Sequence, residues 1–162
     1  MGTLVFAIVG KHDLVYETEF SSSGGSSVAV AAGSDPNVGA KTSSESAHLY
    51  QFVMHSALDM VEERMWETTN MYLRTVDDFN DMHVYAWVTA SSAKFLLLHE
   101  QKTEDGHRIR ASHRNEESIK LFFSEINELY SKMVLNPFYN QDQPITSTVF
   151  HERVHSLGRK LL

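Results

Sequence analysis

Residues 84–100 read VYAWVTASSAKFLLLHE, and this stretch decides the fold of the chain. Two apolar runs, 84–89 and 95–100, flank the small-residue turn 90–93. Successive side chains of a strand point to opposite faces, so a run that is apolar at nearly every position needs cover on both faces. The stretch therefore predicts two strands of a sheet that has a layer of structure on each side.

The flanking sequence supplies three further strands and three helices. Residues 3–9 are apolar almost throughout, residues 14–20 alternate after the turn 10–13, and residues 70–76 form a third strand before a turn at 77–81. Apolar spacing predicts helices over 46–63, between the capping Asn115 and the stop at Asn136-Pro137, and from about Ser147 onward. In the first helix the predicted buried stripe contains Leu49, Phe52, Val53, Ala57, Leu58, Met60 and Val61.

This order predicts an α+β fold. A five-stranded antiparallel sheet would carry one helix on one face and the two C-terminal helices on the other, which covers every doubly apolar strand. The 162 residues suit one domain, 1–162, with a Ser/Gly/Ala-rich flexible insertion at about 21–44 and a polar loop at about 101–114. Neither segment carries the apolar spacing of a core element.

Composition excludes several classes of protein. The formal net charge is −7 and no basic stripe is present, so nucleic-acid binding is not expected. The chain has no cysteine, which excludes disulfides and thiolate metal sites. No apolar run approaches the 20 or so residues of a membrane-spanning helix. No phosphate loop or nucleophile elbow appears, and we predict no catalytic residue, cofactor or metal.

Two short motifs resemble functional sites but have a simpler structural explanation. His151-Glu152-Arg153-Val154-His155 matches the H-E-x-x-H zinc motif, in which two histidines bind the metal and the glutamate acts as general base. The position of a third downstream ligand is occupied by Leu161, so a zinc hydrolase remains only a remote alternative. Asn136-Pro137-Phe138-Tyr139 matches a docking peptide, but its place between two helices indicates a turn with buried aromatic rings.

A set of residues in fixed order closely resembles the sedlin family, the small longin-fold subunits of the TRAPP vesicle-tethering complex. The resemblance rests on Gly10-Lys11-His12-Asp13, Ser56-Ala57-Leu58-Asp59-Met60-Val61, Met65-Trp66, Asn70-Met71-Tyr72-Leu73-Arg74-Thr75-Val76-Asp77, Glu104-Asp105-Gly106, Asn136-Pro137-Phe138-Tyr139 and Leu157-Gly158. It implies a longin fold and covers nearly the whole chain, with gaps near 21–44 and 107–116.

The resemblance also implies a function and partners. It implies a non-catalytic adaptor of the cytosolic TRAPP assembly in endoplasmic reticulum-to-Golgi transport, peripheral to those membranes, linking the small-subunit core to larger subunits. The Rab nucleotide-exchange activity belongs to the assembly and is not assigned to this chain. The alternative is a longin-type regulatory or coat-associated domain, suggested by fold analogy alone.

Three residues are candidates for partner binding. In sedlin-like chains the aspartate at the position of Asp59 is implicated in contacts with larger subunits. Met65 and Trp66 follow the end of the first helix, and an exposed tryptophan there would be an interface anchor.

Overall fold

Eight elements make up the described part of the chain. A computed structural model describes residues 3–20, 41–100 and 113–162, with side chains from residue 47 in the second range and residue 116 in the third. The elements are β1 (Leu4–Val9), β2 (Leu14–Phe20), α1 (Lys41–Arg64), β3 (Tyr72–Phe79), β4 (Met82–Val88), β5 (Lys94–Glu100), α2 (His113–Val134) and α3 (Thr148–Leu161). Their order is the one predicted.

The five strands form one antiparallel sheet in the order β2-β1-β5-β4-β3. The two doubly apolar strands, β4 and β5, are neighbours, and β1 completes the central trio. β2 and β3 are the edges, which suits their mixed polar and apolar sequences. The predicted α+β, longin-type fold is confirmed.

The sheet divides the core into two clusters. α1 covers one face, where Val53, Ala57 and Val61 pack with Leu96 and Leu98 of β5. α2 and α3 cover the other face, where Phe122, Ile126 and Val154 lie in one cluster with Leu97. Consecutive leucines of β5 therefore enter different clusters, which explains why this strand is apolar at almost every position.

Some boundaries differ from those predicted. β3 continues to Phe79, so Asp77 and Asp78 lie in the strand and not in the predicted turn. The connection to β4 shortens to Asn80 and Asp81, and Asn80 takes the left-handed conformation with φ of 54° that tight hairpins require. α1 begins at Lys41 and α2 at His113, inside the segments predicted as loops. The rest of those segments lies outside the described residues.

α3 is seated on the edge strand β2. Ser147 caps it by accepting a hydrogen bond from the backbone N–H of Phe150, as expected for a helix that starts there. Gly158 meets the ring of Phe20, where a Cβ would lie 2.5 Å from the ring carbon Cε1. Only glycine permits this close approach without displacement of the ring.

The Asn136-Pro137-Phe138-Tyr139 segment is a turn, but its aromatic rings are not both buried. The Asn136 side chain accepts a hydrogen bond from the Phe138 N–H, and the Tyr139 N–H donates to the Asn136 carbonyl at 3.0 Å. This geometry turns Tyr139 back toward the protein, with its hydroxyl donating to the Gln143 carbonyl. Phe138 is left 91% exposed, so the prediction for that ring was wrong.

Candidate functional site

An exposed stripe runs along the outer side of α1. Phe52, Asp59 and Trp66 follow one another at seven-residue intervals, and all three are exposed. Seven residues are close to two helical turns, so Phe52 and Asp59 lie on one side of α1 about 10 Å apart. Trp66 lies in the turn just past Arg64, the last residue of α1. Phe52 is 65% and Trp66 84% exposed, unusually high for large apolar side chains. We call these three residues the α1 stripe.

The stripe stays outside because the opposite side of α1 is anchored to the sheet. Val53, Ala57 and Val61 are buried there, which fixes the rotation of the helix. The Arg64 guanidinium donates to the Thr75 carbonyl on β3 at 2.5 Å. The Lys94 ammonium, itself buried, donates to Glu62 at 3.0 Å. These contacts hold the C-terminal end of α1, next to the stripe, in a defined orientation.

Asp59 lies at the centre of the stripe with its carboxylate available. Within the described residues, none of the ion pairs involves Asp59. The neighbouring acid Glu63 is also exposed. An unpaired carboxylate between two exposed aromatic side chains can accept hydrogen bonds from an arginine, a lysine or backbone amides of a partner surface.

The other two predicted residues, Met65 and Trp66, have different environments in the structure. The Met65 N–H donates to the Val61 carbonyl at 2.9 Å, which continues the helical pattern past Arg64. The Trp66 N–H reaches the Glu63 carbonyl at 3.4 Å, so the chain tightens before leaving the helix. Met65 is half-buried and supports the turn, whereas Trp66 projects into solvent. Asp59 and Trp66 are therefore both open to a partner, and Met65 is less so.

Sequence reasoning missed Phe52. The predicted buried stripe of α1 was too wide: Leu49 is 41%, Phe52 65% and Met60 36% exposed. A helix packed on one flat sheet buries an arc somewhat over 100°, and these three positions fall outside it. The sequence did contain a sign that Phe52 is exposed. Phe52 stands seven residues before Asp59, and an apolar core position would not accept an aspartate.

The two histidines of the H-E-x-x-H motif are occupied in packing α3 against β2. His151 Nδ1 lies 2.8 Å from the Tyr16 hydroxyl, and His155 Nε2 lies 2.8 Å from the Thr18 hydroxyl. The imidazole rings are 4.3 Å apart between centroids. Burial, and then the nearby His151 and Arg159, lower the pKa of His155. Each histidine therefore commits one ring nitrogen to a hydroxyl group of β2.

The described part of the chain has neither a membrane-spanning helix nor a cluster of metal ligands. Over the described ranges, no helix has the length and apolar character needed to cross a bilayer. In the same residues, His, Cys, Asp and Glu side chains form no group of three or more able to hold a metal ion.

Comparison with known proteins gives a consistent assignment. The family model described as Sedlin matches residues 8–160. The "Transport protein particle 20 kDa subunit" of Schizosaccharomyces pombe is 40% identical over 116 residues, 72% of this chain and 76% of that protein. The "Probable trafficking protein particle complex subunit 2" of Drosophila melanogaster is 37% identical over 164 residues, 100% of this chain and 99% of that protein.

A more distant relative is named in the same way. The "Trafficking protein particle complex subunit 20" of Saccharomyces cerevisiae is 29% identical over 187 residues, spanning 97% of each chain. The family model matches most of the sequence, and two relatives above 30% identity are matched over more than two thirds of this chain. This chain belongs to the Sedlin family.

Proposed function

We propose that this chain is a subunit of a trafficking protein particle complex and acts there as a non-catalytic adaptor. It would link the small-subunit core to larger subunits in endoplasmic reticulum-to-Golgi vesicle transport. The names of its relatives support membership of such a complex. The observation that supports the adaptor role is the α1 stripe, in which Asp59 stands between the exposed rings of Phe52 and Trp66.

The physical basis of the proposal is a rigid domain that presents one prepared surface. The sheet is covered on both faces, so α1 cannot rotate without opening a core cluster. Aromatic side chains held in place lose little conformational entropy on binding and are frequent anchors of interfaces. A carboxylate among them specifies the orientation of a partner cation or amide, because leaving that donor unpaired is costly.

The remaining parts of the proposal follow from the same role. The partners are the other subunits of the particle, both small longin-type and larger ones. The link to a Rab-type GTPase is indirect, through the exchange activity of the assembly. Residues 1–162 act as one domain, located in the cytoplasm and held at Golgi and endoplasmic reticulum-Golgi membranes by the complex.

The test is a tagged purification from native cell extract, with wild type and Asp59→Tyr compared by size and mass spectrometry. We expect the wild type to elute with other particle subunits and Asp59→Tyr to lose the larger ones. The matched control is Glu125→Tyr, an exposed carboxylate on α2 far from the stripe in sequence. Thermal unfolding of all three proteins shows that they are folded. A wild type that elutes alone, near its 18.4 kDa mass, contradicts the proposal.

The aromatic members of the stripe give a second, quantitative test. Truncation of an anchor tryptophan typically costs about 2 kcal/mol or more of binding free energy, which is about thirtyfold in Kd. We expect Trp66→Ala to weaken capture of the larger subunits by that order, and Phe52→Ala to weaken it less. Leu135→Ala is the control, since Leu135 is 80% exposed just past the end of α2. Equal capture by the three variants would argue against a docking role for the stripe.

A further inference from the structure

A groove lies beside α1 on the face of the sheet that carries this helix. α1 packs mainly over β3, β4 and β5, and the sheet continues beyond it through β1 to the edge strand β2. The groove follows that side of the helix and has a volume of about 130 Å³. Its walls include Val9 of β1, Leu14 and Glu17 of β2, and Met54 and Leu58 of α1. We call it the α1–β2 groove.

The floor of the groove is apolar and is fixed by the core. Ala7 has the smallest side chain of β1, and it pairs with Leu96 of β5; both line the groove and both are 1% exposed. Val9, Leu14 and Leu58 are half-buried, so their side chains remain open to an incoming group. A cavity of about 150 Å³ with aliphatic walls can hold a benzene molecule. The groove therefore has room for one side chain of about the size of leucine.

The mouth of the groove is acidic. Glu17 pairs with Ala7 and Glu19 pairs with Val5, and directly opposed residues of an antiparallel pair point to the same face of the sheet. Both carboxylates therefore stand on the α1 face, with Glu17 in the wall of the groove. Within the described ranges, no ion pair uses either of them, and none of the residues lining the groove is a lysine or an arginine.

We propose that the α1–β2 groove receives one leucine-sized side chain of a partner protein, from a segment that carries lysine or arginine on both sides of it. The aliphatic side chain fills the apolar floor, and the flanking cations face Glu17 and Glu19. The same carboxylates would repel an acidic segment. A polar side chain would leave its hydrogen-bonding groups unpaired against the floor. The groove thus selects its occupant by size and by charge.

The groove adjoins the α1 stripe. His55 lines it, three residues after Phe52 and four before Asp59, and residues at these spacings are neighbours on a helix surface. One partner can therefore contact Asp59 and fill the groove at the same time. The protein source of the occupant rests on the proposed function, whereas the preference of the groove for size and charge does not. The test therefore has two arms that can fail separately.

The first arm titrates the isolated full-length chain with three end-blocked tripeptides: Lys-Leu-Lys, Glu-Leu-Glu and Lys-Ala-Lys. The NMR reporter is the ¹³C-labelled methyl signal of Leu58 in the groove, and the internal control is Leu129, equally half-buried on the other face of the sheet. We expect Lys-Leu-Lys to shift only Leu58, and to do so saturably. Lys-Ala-Lys should bind about tenfold more weakly. Glu-Leu-Glu should bind about fivefold more weakly.

A charge-reversal variant tests the mouth of the groove. Glu17→Lys leaves the apolar floor intact, and lysine is well tolerated on an edge strand such as β2. The preference for Lys-Leu-Lys over Glu-Leu-Glu should fall to about twofold or less. Glu125→Lys, the same exchange at an exposed position of α2, should keep the wild-type preference. Equal binding of Lys-Leu-Lys and Lys-Ala-Lys by wild type overturns the proposal, as does an unchanged charge preference in Glu17→Lys.

The second arm identifies the source of the side chain. Both variants are purified from native extract beside wild type, and the subunits are quantified by mass spectrometry. Weakening of one identified subunit in Glu17→Lys alone supports a partner protein. An unchanged assembly overturns that source, even with a positive titration. Self-association of the isolated chain that Glu17→Lys abolishes also overturns it, because the occupant is then a second copy. A wild type that recovers no assembly fails the proposed function, and the titration still decides the preference of the groove.

Discussion

At the scale of single residues, His155 makes the stability of the protein depend on pH. Burial lowers its pKa below the ordinary value of 6.5, and burial lowers the pKa of His99 in the same direction. The unfolded chain therefore binds protons more readily than the folded one, and stability falls as the pH drops through 6.5 and below. We expect the melting temperature to be lower at pH 5 than at pH 7, measured by circular dichroism.

The contribution of His155 to the pH dependence of stability can be measured separately. His155→Gln has no proton to gain in this range, so the difference between the two melting temperatures should become smaller while the contribution of His99 persists. His48→Gln, an exposed position on α1, is the control and should behave like wild type. If His155→Gln retains the full wild-type dependence, the pH effect arises elsewhere.

At the scale of elements, the fit of α3 against β2 depends on the absence of a side chain at Gly158. Alanine is a better helix former than glycine by about 1 kcal/mol. Its Cβ would, however, lie 2.5 Å from Phe20 Cε1 and 2.9 Å from Cδ1. Overpacking of this kind costs about 1–3 kcal/mol. We expect Gly158→Ala to lower the free energy of unfolding in urea, because the steric cost exceeds the gain in helix propensity.

The control position for that experiment is Ser156, which lies about half a turn from Gly158 on the same helix. Ser156 is exposed, so Ser156→Ala should be neutral or stabilise α3 by roughly 0.5 kcal/mol through helix propensity. An equal stabilisation by both alanine variants would mean that the Phe20 ring moves aside at no cost.

At the scale of the whole molecule, the two faces of the sheet should contribute to stability alike. Leu96 and Leu97 are 1% and 0% exposed and enter opposite core clusters. Leu96→Ala and Leu97→Ala should each lower the free energy of unfolding by about 2–5 kcal/mol. Leu135→Ala, at an 80% exposed position, should change it by no more than about 0.5 kcal/mol. A small effect at only one of the two leucines would mean that its face is poorly covered.

Much of this fold could be predicted from local patterns. The doubly apolar runs of β4 and β5 predict burial on both faces without knowledge of the partner elements. The spacing of Ile119, Phe122, Phe123, Ile126, Tyr130 and Met133 predicts α2; the first five are buried and Met133 is half-buried. Strand alternation and helical periodicity are properties of neighbouring residues, which is why a single sequence carries them.

Other features depend on pairing and packing between elements. The extension of β3 to Phe79 depends on pairing with Met82 in a two-residue hairpin, which outweighed the turn preference of Asp77 and Asp78. The exposure of Phe52 depends on how α1 is rotated over the sheet. Neither property follows from the preferences of the single residues concerned.

The candidate functional residues also differ in whether the sequence alone could indicate them. Asp59 and Trp66 were recognisable in the sequence by motif and by position after a helix, and each is exposed in the structure. The exposure of Phe52 was not, since it depends on how α1 packs on the sheet. The sequence alone determined the elements, their order and the family, because these rest on local periodicity and on motifs. Only the tertiary structure decided which apolar side chains are buried and which are left outside, because burial depends on the packing of distant elements.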